Sequence, residues 1–361
     1  MKSTKNAFLI IISIIIITQL SCSDNTTEPE KGEWSGLGLE GKLVNDLKLI
    51  DSYLYACAGK DGLYRLDLNQ SDSGWTYLGF SDSGLLRQLY YGVTSIVKIP
   101  STNRLIVGLA THRDTSEVGV FRSTDEGSTW IASDVGIGTD YYPKSTEISC
   151  LYVNTFVQNT IYAGLYSTIY KSLDGGNSWY LVQGIHGVGG LGRNAIRIAH
   201  NNPSTIWAGG ETSRFAPYLL NSTDGGESWS DYIKFPANFG PYTDDNAVYD
   251  IAIDPSNDNI LYFGMLGVIG KTTDKGKTFE RILGWEDGIY KHWRLSINPD
   301  KPLELFATGA YLYKTNDGGK SWSKITPPMD EIYALEMNWQ DKVLYVSVSD
   351  PENGIYKYNF R

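Results

Sequence analysis

Apolar and polar residues alternate along most of the chain in short runs. Segments such as 148–153 (ISCLYV) and 161–165 (IYAGL) are rich in β-branched and aromatic residues, and their alternate side chains point to opposite faces. This period of two is typical of half-buried β-strands, and the mature part of the chain shows no helical period. The pattern predicts an all-β protein.

One eight-residue motif punctuates these strands. The sequence STDEGSTW at 123–130 recurs four more times as Ser/Thr-x-Asp-x-Gly-x-Ser/Thr-Trp/Phe, and its aspartates are Asp125, Asp174, Asp224, Asp274 and Asp317. An Asp carboxylate can accept hydrogen bonds from backbone N–H groups a few residues further on, and Gly supplies a positive φ. The motif therefore predicts a tight hairpin turn, and its near-constant period predicts a repeat protein.

The motif resembles the Asp-box, or bacterial neuraminidase repeat, of the sialidase and sortilin-like superfamily. The resemblance covers nearly the whole mature chain. It implies a β-propeller in which each box is the hairpin between the third and fourth strands of a blade, at the outer edge and away from any functional site. It therefore implies a structural role for the five aspartates.

The strand signals predict seven blades. Three strands follow the last motif before the chain ends, and 33–38 (EWSGLG) resembles the strand that follows a box. We expect this N-terminal strand to complete the last blade, because a closed ring removes the sheet edges that invite aggregation. The prediction is one domain, residues 33–361, folded as a seven-bladed β-propeller.

The first 21 residues are typical of an export signal. Lys2 and Lys5 precede an apolar run that is too short for a comfortable membrane span. The pair Ser21-Cys22 resembles a bacterial lipoprotein processing site, which implies cleavage before Cys22 and its lipidation. We expect a polar tether at 22–32 and an exported protein anchored by lipid in the bacterial cell envelope, at the outer membrane or cell surface. A plain secreted protein is the alternative.

Charge and cysteine content limit the partners. The formal charge is −10, and removal of 1–21 leaves 29 basic against 41 acidic residues, or −12. Such a surface repels phosphate backbones, so we expect no nucleic-acid partner and membrane contact through the lipid anchor only. Cys57 and Cys150 lie in different predicted blades, and with four histidines they predict no metal or cofactor.

Candidate ligand-binding residues cluster near the start of the predicted inner strands. The loops entering these strands are long and chemically rich, and such loops on a rigid scaffold usually carry binding. The candidates are Asp46, His186, Arg193, Arg197, Tyr242, Asp250, His292, Trp293 and Arg294. Arg forks bind carboxylates and aromatic rings stack on sugars, so an acidic or ring-shaped ligand fits. A salt-bridged channel lining by Arg197, Asp250 and Arg294 is the alternative.

No complete catalytic set is recognisable, and no catalytic residue is assigned. Sialidases of the superfamily carry an Arg-Ile-Pro element, whereas Ile196-Arg197-Ile198 lacks the proline. The xyloglucanases generally use two propellers, and one fits here. The resemblance is greatest to the photosystem II assembly factor and sortilin-like members, which implies a monomeric, non-catalytic binding or scaffold propeller for a protein or glycan. A glycoside hydrolase or polysaccharide lyase is the alternative.

Overall fold

A computed structural model describes most of the chain that follows the tether. The described residues are 26–27, 33–81, 92–110, 119–138, 147–165, 168–184, 193–212, 216–237, 239–240, 246–284, 293–309, 311–327, 332–348 and 354–360, without the side chains of 26–27, 71–73 and 193–194. The predicted signal peptide and Cys22 lie outside these ranges. Among the described residues, no helix has the length and apolar character to cross a bilayer.

The strands form seven four-stranded antiparallel sheets, which we number as blades 1–7 in chain order. From inner to outer strand they are: blade 1, Asp46–Ile50, Tyr53–Cys57, Leu63–Asp67, Thr76–Gly79; blade 2, Gly92–Lys98, Leu105–Ala110, Val120–Ser123, Ile131–Ala132; blade 3, Ile148–Val153, Ile161–Leu165, Thr168–Ser172, Tyr180–Gly184; blade 4, Arg193–Ile198, Ile206–Glu211, Pro217–Ser222, Ile233–Lys234; blade 5, Asp250–Ile253, Leu261–Met265, Val268–Thr272, Glu280–Gly284; blade 6, Arg294–Ile297, Leu305–Thr308, Leu312–Thr315, Trp322–Ile325; blade 7, Ile332–Asn338, Val343–Val348, Ile355–Asn359, Glu33–Gly38. A 3₁₀ helix, Leu68–Ser73, lies in blade 1, and Thr26–Thr27 adds a fifth strand to blade 6. The predicted seven-bladed propeller is confirmed.

The ring closes as expected through the N-terminal strand. Each inner strand contacts the inner strand of the next blade, and that of blade 7 contacts that of blade 1. Glu33–Gly38 pairs in antiparallel register with Ile355–Asn359, and Trp34 stands opposite Tyr358 with ring centroids 4.7 Å apart. The two ends of the propeller are therefore joined by a sheet rather than by a loop.

Tryptophans tie five of the seven blades to the preceding blade of the ring. Trp179 is 4% exposed in the core between blades 2 and 3, and its indole N–H donates to the Ser133 carbonyl oxygen at 2.8 Å. The same inter-blade bond is made to a backbone carbonyl by Trp34, Trp75, Trp130 and Trp322. The aromatic residue that ends the motif thus fills the gap between sheets while its polar atom stays satisfied.

The repeated motif forms the same turn in all five copies. In the first, the Gly127 N–H donates to Ser123 Oγ at 2.8 Å, and Thr129 donates its N–H and its hydroxyl to the two oxygens of Asp125 at 2.9 and 2.6 Å. Gly127 has a φ of +87°, where a side chain would be strained. Hydrogen bonds from the Thr129 hydroxyl, the Thr129 N–H and Ser123 lower the pKa of Asp125 to about 2.

The closing strand can be tested through Trp34. Trp34→Ala removes the ring packed on Tyr358 and the bond from Trp34 Nε1 to the Thr326 carbonyl. We expect the free energy of unfolding to fall by about 2–3 kcal/mol, below the usual cost for a fully buried ring because Trp34 is half-buried. Denaturant titration measures the loss, with the exposed Val135→Ala as the control. A Trp34→Ala protein as stable as this control would contradict the closure.

Acid should weaken the repeated turns. Because the pKa of Asp125 is about 2 when folded and about 3.9 when unfolded, its stabilising effect is present above about pH 4 and is lost as the pH falls towards 2. We expect the denaturation midpoint to drop over this range, and to drop less in Asp125→Asn, which does not titrate. Asp231→Asn, outside the turns, is the control. Equal acid sensitivity of Asp125→Asn and the unsubstituted protein would refute this role.

Candidate functional site in the central channel

The inner strands of the seven blades enclose a central channel. Its polar lining includes three acidic and three basic side chains, which are Asp46, Lys48, Arg197, Asp250, Arg294 and Glu336. The four candidates that the sequence placed near the starts of the inner strands, Asp46, Arg197, Asp250 and Arg294, thus lie in one cavity. Alternation along the inner strands turns these residues towards the axis, since their neighbours fill the cores between blades.

Arg197 and Asp250 form an ion pair that joins blades 4 and 5. The Arg197 Nη2 group pairs with Asp250 Oδ1, and the Asp250 side chain is only 6% exposed. Both carboxylate oxygens also accept backbone bonds, from the N–H of Ile251 at 2.8 Å and from the N–H of Leu295 at 2.9 Å. Asp250 therefore connects three blades, and its hydrogen-bonding capacity is largely used within the protein.

Arg294 does not join this ion pair. Its Nη1 group donates to the Tyr249 carbonyl oxygen at 2.8 Å, and no ion pair to Arg294 is present in the described part of the chain. The salt-bridged lining considered from the sequence is therefore formed by Arg197 and Asp250 and does not extend to Arg294. One backbone bond leaves most of the guanidinium donors of Arg294 available to a ligand.

A second pair, which the sequence analysis missed, joins blades 1 and 7. Lys48 Nζ lies 3.3 Å from Glu336 Oε2, and the Leu49 N–H donates to Glu336 Oε1 at 2.9 Å. Lys48 and Glu336 follow Asp46 and Ala334 by two residues on their strands, so they share the channel-facing side. The alternation of side chains along each strand indicates that both residues face the channel. Their pairing was not predictable from it, because only the closed ring brings these two strands together.

Asp46 has fewer hydrogen-bond and ion-pair contacts than the other two channel carboxylates. Burial raises the pKa of Asp46 to about 6; Lys48 opposes this rise and Glu336 adds to it. Within the residues that the structure describes, its carboxylate accepts no hydrogen bond. Asp46 is therefore able to take up or release a proton near neutral pH.

The other predicted site residues are placed differently. Trp293 is 2% exposed, and its ring packs in the core against Tyr313 at 5.4 Å. The expectation that Trp293 offers its ring to a ligand is therefore wrong for this structure, because the ring fills space between blades 5 and 6. Arg193 begins the inner strand of blade 4, opposite Gly210. Its side chain lies outside the described residues, as do the residues His186, Tyr242 and His292.

The described residues contain no cluster of three or more potential metal ligands. Cys57 is buried, and Cys150 lines the channel half-buried; neither forms a disulfide within the described residues. Burial raises the pKa of Cys150 to about 11, which keeps this thiol protonated at neutral pH. Neither cysteine is therefore an activated nucleophile.

Solved structures share this fold at low sequence identity. A GH74 xyloglucanase from Xanthomonas campestris is 18% identical with a TM-score of 0.66, and the match covers 91% of this chain but 53% of the enzyme. YCF48 bound to D1 peptide is 15% identical with a TM-score of 0.63, over 93% of this chain and 99% of that chain. The extracellular domain of the putative one component system BT4673 from B. thetaiotaomicron is 11% identical with a TM-score of 0.64, over 92% of this chain and 40% of that chain. No protein-family model and no curated protein matches the sequence.

These similarities show the propeller fold alone. The chain spans about half the length of the xyloglucanase that it resembles. The neighbours include both enzymes and extracellular or peptide-bound propellers, and one fold supports many functions. Function therefore depends on the channel and on its rim, which is the end of the channel where the loops between blades lead into the inner strands.

The protonation of Asp46 can be tested through stability. Since its pKa is about 6 when folded and about 3.9 when unfolded, stability linked to Asp46 is present below about pH 4 and is lost as the pH rises through 6. We expect Asp46→Asn, which is always neutral, to gain free energy of unfolding relative to the unsubstituted protein as the pH rises from about 4 to about 7. The exposed Asp51→Asn is the control. A constant difference between Asp46→Asn and the unsubstituted protein across this range would rule out the raised pKa.

Proposed function

We propose that this chain is an Asp-box propeller, anchored in the cell envelope by lipid on Cys22, that binds a protein or glycan at its loop-rich rim without catalysing a reaction. The five repeated turns support the Asp-box assignment, because each lies between the third and fourth strands of a blade. Their carboxylates are used within the turns. The binding surface is the opposite end of the channel and the loops around it.

The pairing of the channel carboxylates carries the non-catalytic part of the proposal. Glycoside hydrolysis generally needs two carboxylates with different roles, one of which is free to attack or to activate water. Asp250 is held by Arg197 and two backbone N–H groups, and Glu336 is held by Lys48 and one backbone N–H group. These contacts suit residues that stiffen the channel wall rather than residues that react.

The comparison with YCF48 supports a polypeptide ligand. That protein matches this chain over nearly the full length of both, and its structure contains the D1 peptide. Arg294 has unused donors in the channel, and Arg forks bind carboxylates in peptides and in acidic glycans alike. The remaining rim candidates of the sequence, Arg193, His186, Tyr242 and His292, complete the proposed contact surface.

One observation favours the enzymatic alternative. Asp46 combines a pKa of about 6 with a carboxylate that no hydrogen bond fixes in the described structure, and a carboxyl group of this kind suits a general acid. A polysaccharide hydrolase or lyase would need a second group near Asp46. Asp250 and Glu336 are occupied, so that group would have to come from the rim loops.

Turnover and contact mapping separate the two functions. We expect no release of reducing ends or unsaturated products from xyloglucan or polygalacturonate by the purified protein. A photo-crosslinking amino acid in place of Tyr242, in a rim loop, should give a discrete adduct in living cells, whereas the same residue in place of the exposed Val135 should not. Turnover that is lost in Asp46→Asn would establish the enzyme instead. Equal crosslinking at both positions would remove the rim as the binding surface.

A further inference from the structure

A two-residue strand of the predicted tether lies on the outer edge of blade 6. Thr26 and Thr27 pair in parallel with Trp322 and Ser323, the first residues of the outer strand. The tether is therefore not free over its whole length. The chain is fixed to the propeller four residues after Cys22, the proposed site of lipidation.

The parallel register decides from which face the tether arrives. Successive strands of blade 6 are antiparallel, so its outer strand runs opposite to the inner strand Arg294–Ile297. The inner strand begins at the rim, and the outer strand begins at the opposite face. This opposite face, which we call the turn face, consists of the repeated turns and the short turns after the inner strands. A strand parallel to the outer strand enters from the turn face.

The covalent chain keeps Cys22 close to this point. A fully extended chain spans about 3.5 Å per residue, so the Cα atoms of Cys22 and Thr26 are at most about 14 Å apart. A lipid on Cys22 lies in the bilayer. The turn face of blade 6 must then lie within about this distance of the membrane surface.

Lysines on the turn face are gathered around the tether. The turns of blades 5–7 contain five of them, which are Lys275, Lys277, Lys301, Lys320 and Lys342. The corresponding described turns of blades 1–4 contain no lysine, and Arg104 there donates to the carbonyl oxygens of Asp174 and Gly175. Lysine ammonium groups contact the phosphates of lipid headgroups. The part of the turn face nearest the anchor, in blades 5–7, is thus the part that suits a lipid surface.

An exposed leucine lies in the same part of the turn face. Leu303, in the turn between the first two strands of blade 6, is 55% exposed, and its carbonyl oxygen accepts the Gly318 N–H at 3.0 Å. An apolar side chain flanked by lysines fits the boundary between headgroups and acyl chains. Asp300 and Asp341 are also exposed here, and Lys275 Nζ lies 3.6 Å from Asp258 Oδ2, so the other four lysines act on individual phosphates rather than through a strong net charge.

We propose that the turn face of blades 5–7 rests on the bilayer that holds the lipid of Cys22, so that the rim points away from the membrane. This inference rests on the lipidation in the proposed function and adds the orientation of the binding surface. It goes beyond the expectation from net charge that the lipid anchor is the only membrane contact. The loops of the rim then face partners in the surrounding compartment, and the repeated turns face lipid.

Lysine acylation measures this orientation. The full chain, processed in a bacterial host, is placed on the outer surface of phosphatidylethanolamine–phosphatidylglycerol vesicles and treated with an acetylating reagent, and each lysine is followed by mass spectrometry. We expect Lys301 and Lys320 to react several-fold more slowly than in soluble Cys22→Ser protein. Lys60, which is exposed in a turn between the second and third strands of blade 1 on the rim side, should react equally in both. Slowing at Lys60 alone, or at none of the three, would overturn the proposal.

A longer tether provides a matched control. A Gly/Ser insertion of about 20 residues between Cys22 and Thr26 lets the propeller move away from the membrane, since such linkers are flexible coils. We expect this variant to float with the vesicles while Lys301 and Lys320 regain the reactivity of the soluble protein. Retained protection would refute the orienting role of the short tether.

A separate measurement distinguishes failure of the lipid anchor from failure of the orientation. Incorporation of an alkyne fatty acid, absent in Cys22→Ser, reports lipidation by itself. If Cys22 carries no lipid, the anchoring part of the proposed function is wrong. The orientation is then tested on a Cys150→Ser chain that begins at Cys22 and is coupled through Cys22 to a maleimide lipid, with Cys57 buried and unreactive. The same lysine pattern is expected, and its absence would overturn the inference.

Discussion

The fold depends on the pairing of its first and last strands within one blade. Antiparallel bonds between Glu33–Gly38 and Ile355–Asn359 turn a row of repeated sheets into a ring, and without them blade 7 would expose a sheet edge. Trp34 strengthens this join by packing on Tyr358 and by bonding to the backbone after blade 6. The ion pair of Lys48 and Glu336 follows from ring closure, because only a closed ring brings the inner strands of blades 7 and 1 together.

The channel illustrates how a repetitive scaffold acquires a distinct interior. The outer turns repeat almost without change, since each must satisfy the same backbone groups around an Asp carboxylate. The inner strands carry different polar residues in each blade, and two ion pairs connect neighbouring blades there. These pairs cross between blades, as the indole bonds of the outer turns do, so each joins two neighbouring sheets at the channel wall. Arg294 and Asp46 are the charged channel residues that can still form hydrogen bonds or ion pairs with a ligand.

The two faces of the propeller also differ, because one consists of short repeated turns and the other of long connections between blades. On the turn face, short turns and repeated hairpins leave few groups free, and the lysines of blades 5–7 stand beside the point where the tether joins blade 6. On the rim face, the sequence that connects consecutive blades is long. An anchor on the turn face and a binding surface on the rim would separate attachment from recognition within one domain.

The sequence by itself determined the fold class, the number of blades and the repeated turn. Strand period and the Asp-Gly turn chemistry are local, so they can be read from a few adjacent residues such as Ser123 to Trp130. The closing strand was also predictable, because EWSGLG repeats a local pattern. Only the tertiary structure decided that Arg197 rather than Arg294 pairs with Asp250, that Glu336 meets Lys48, and that Trp293 is buried. These outcomes depend on which strands the ring places side by side and on the space between blades, and no local pattern of residues contains that information.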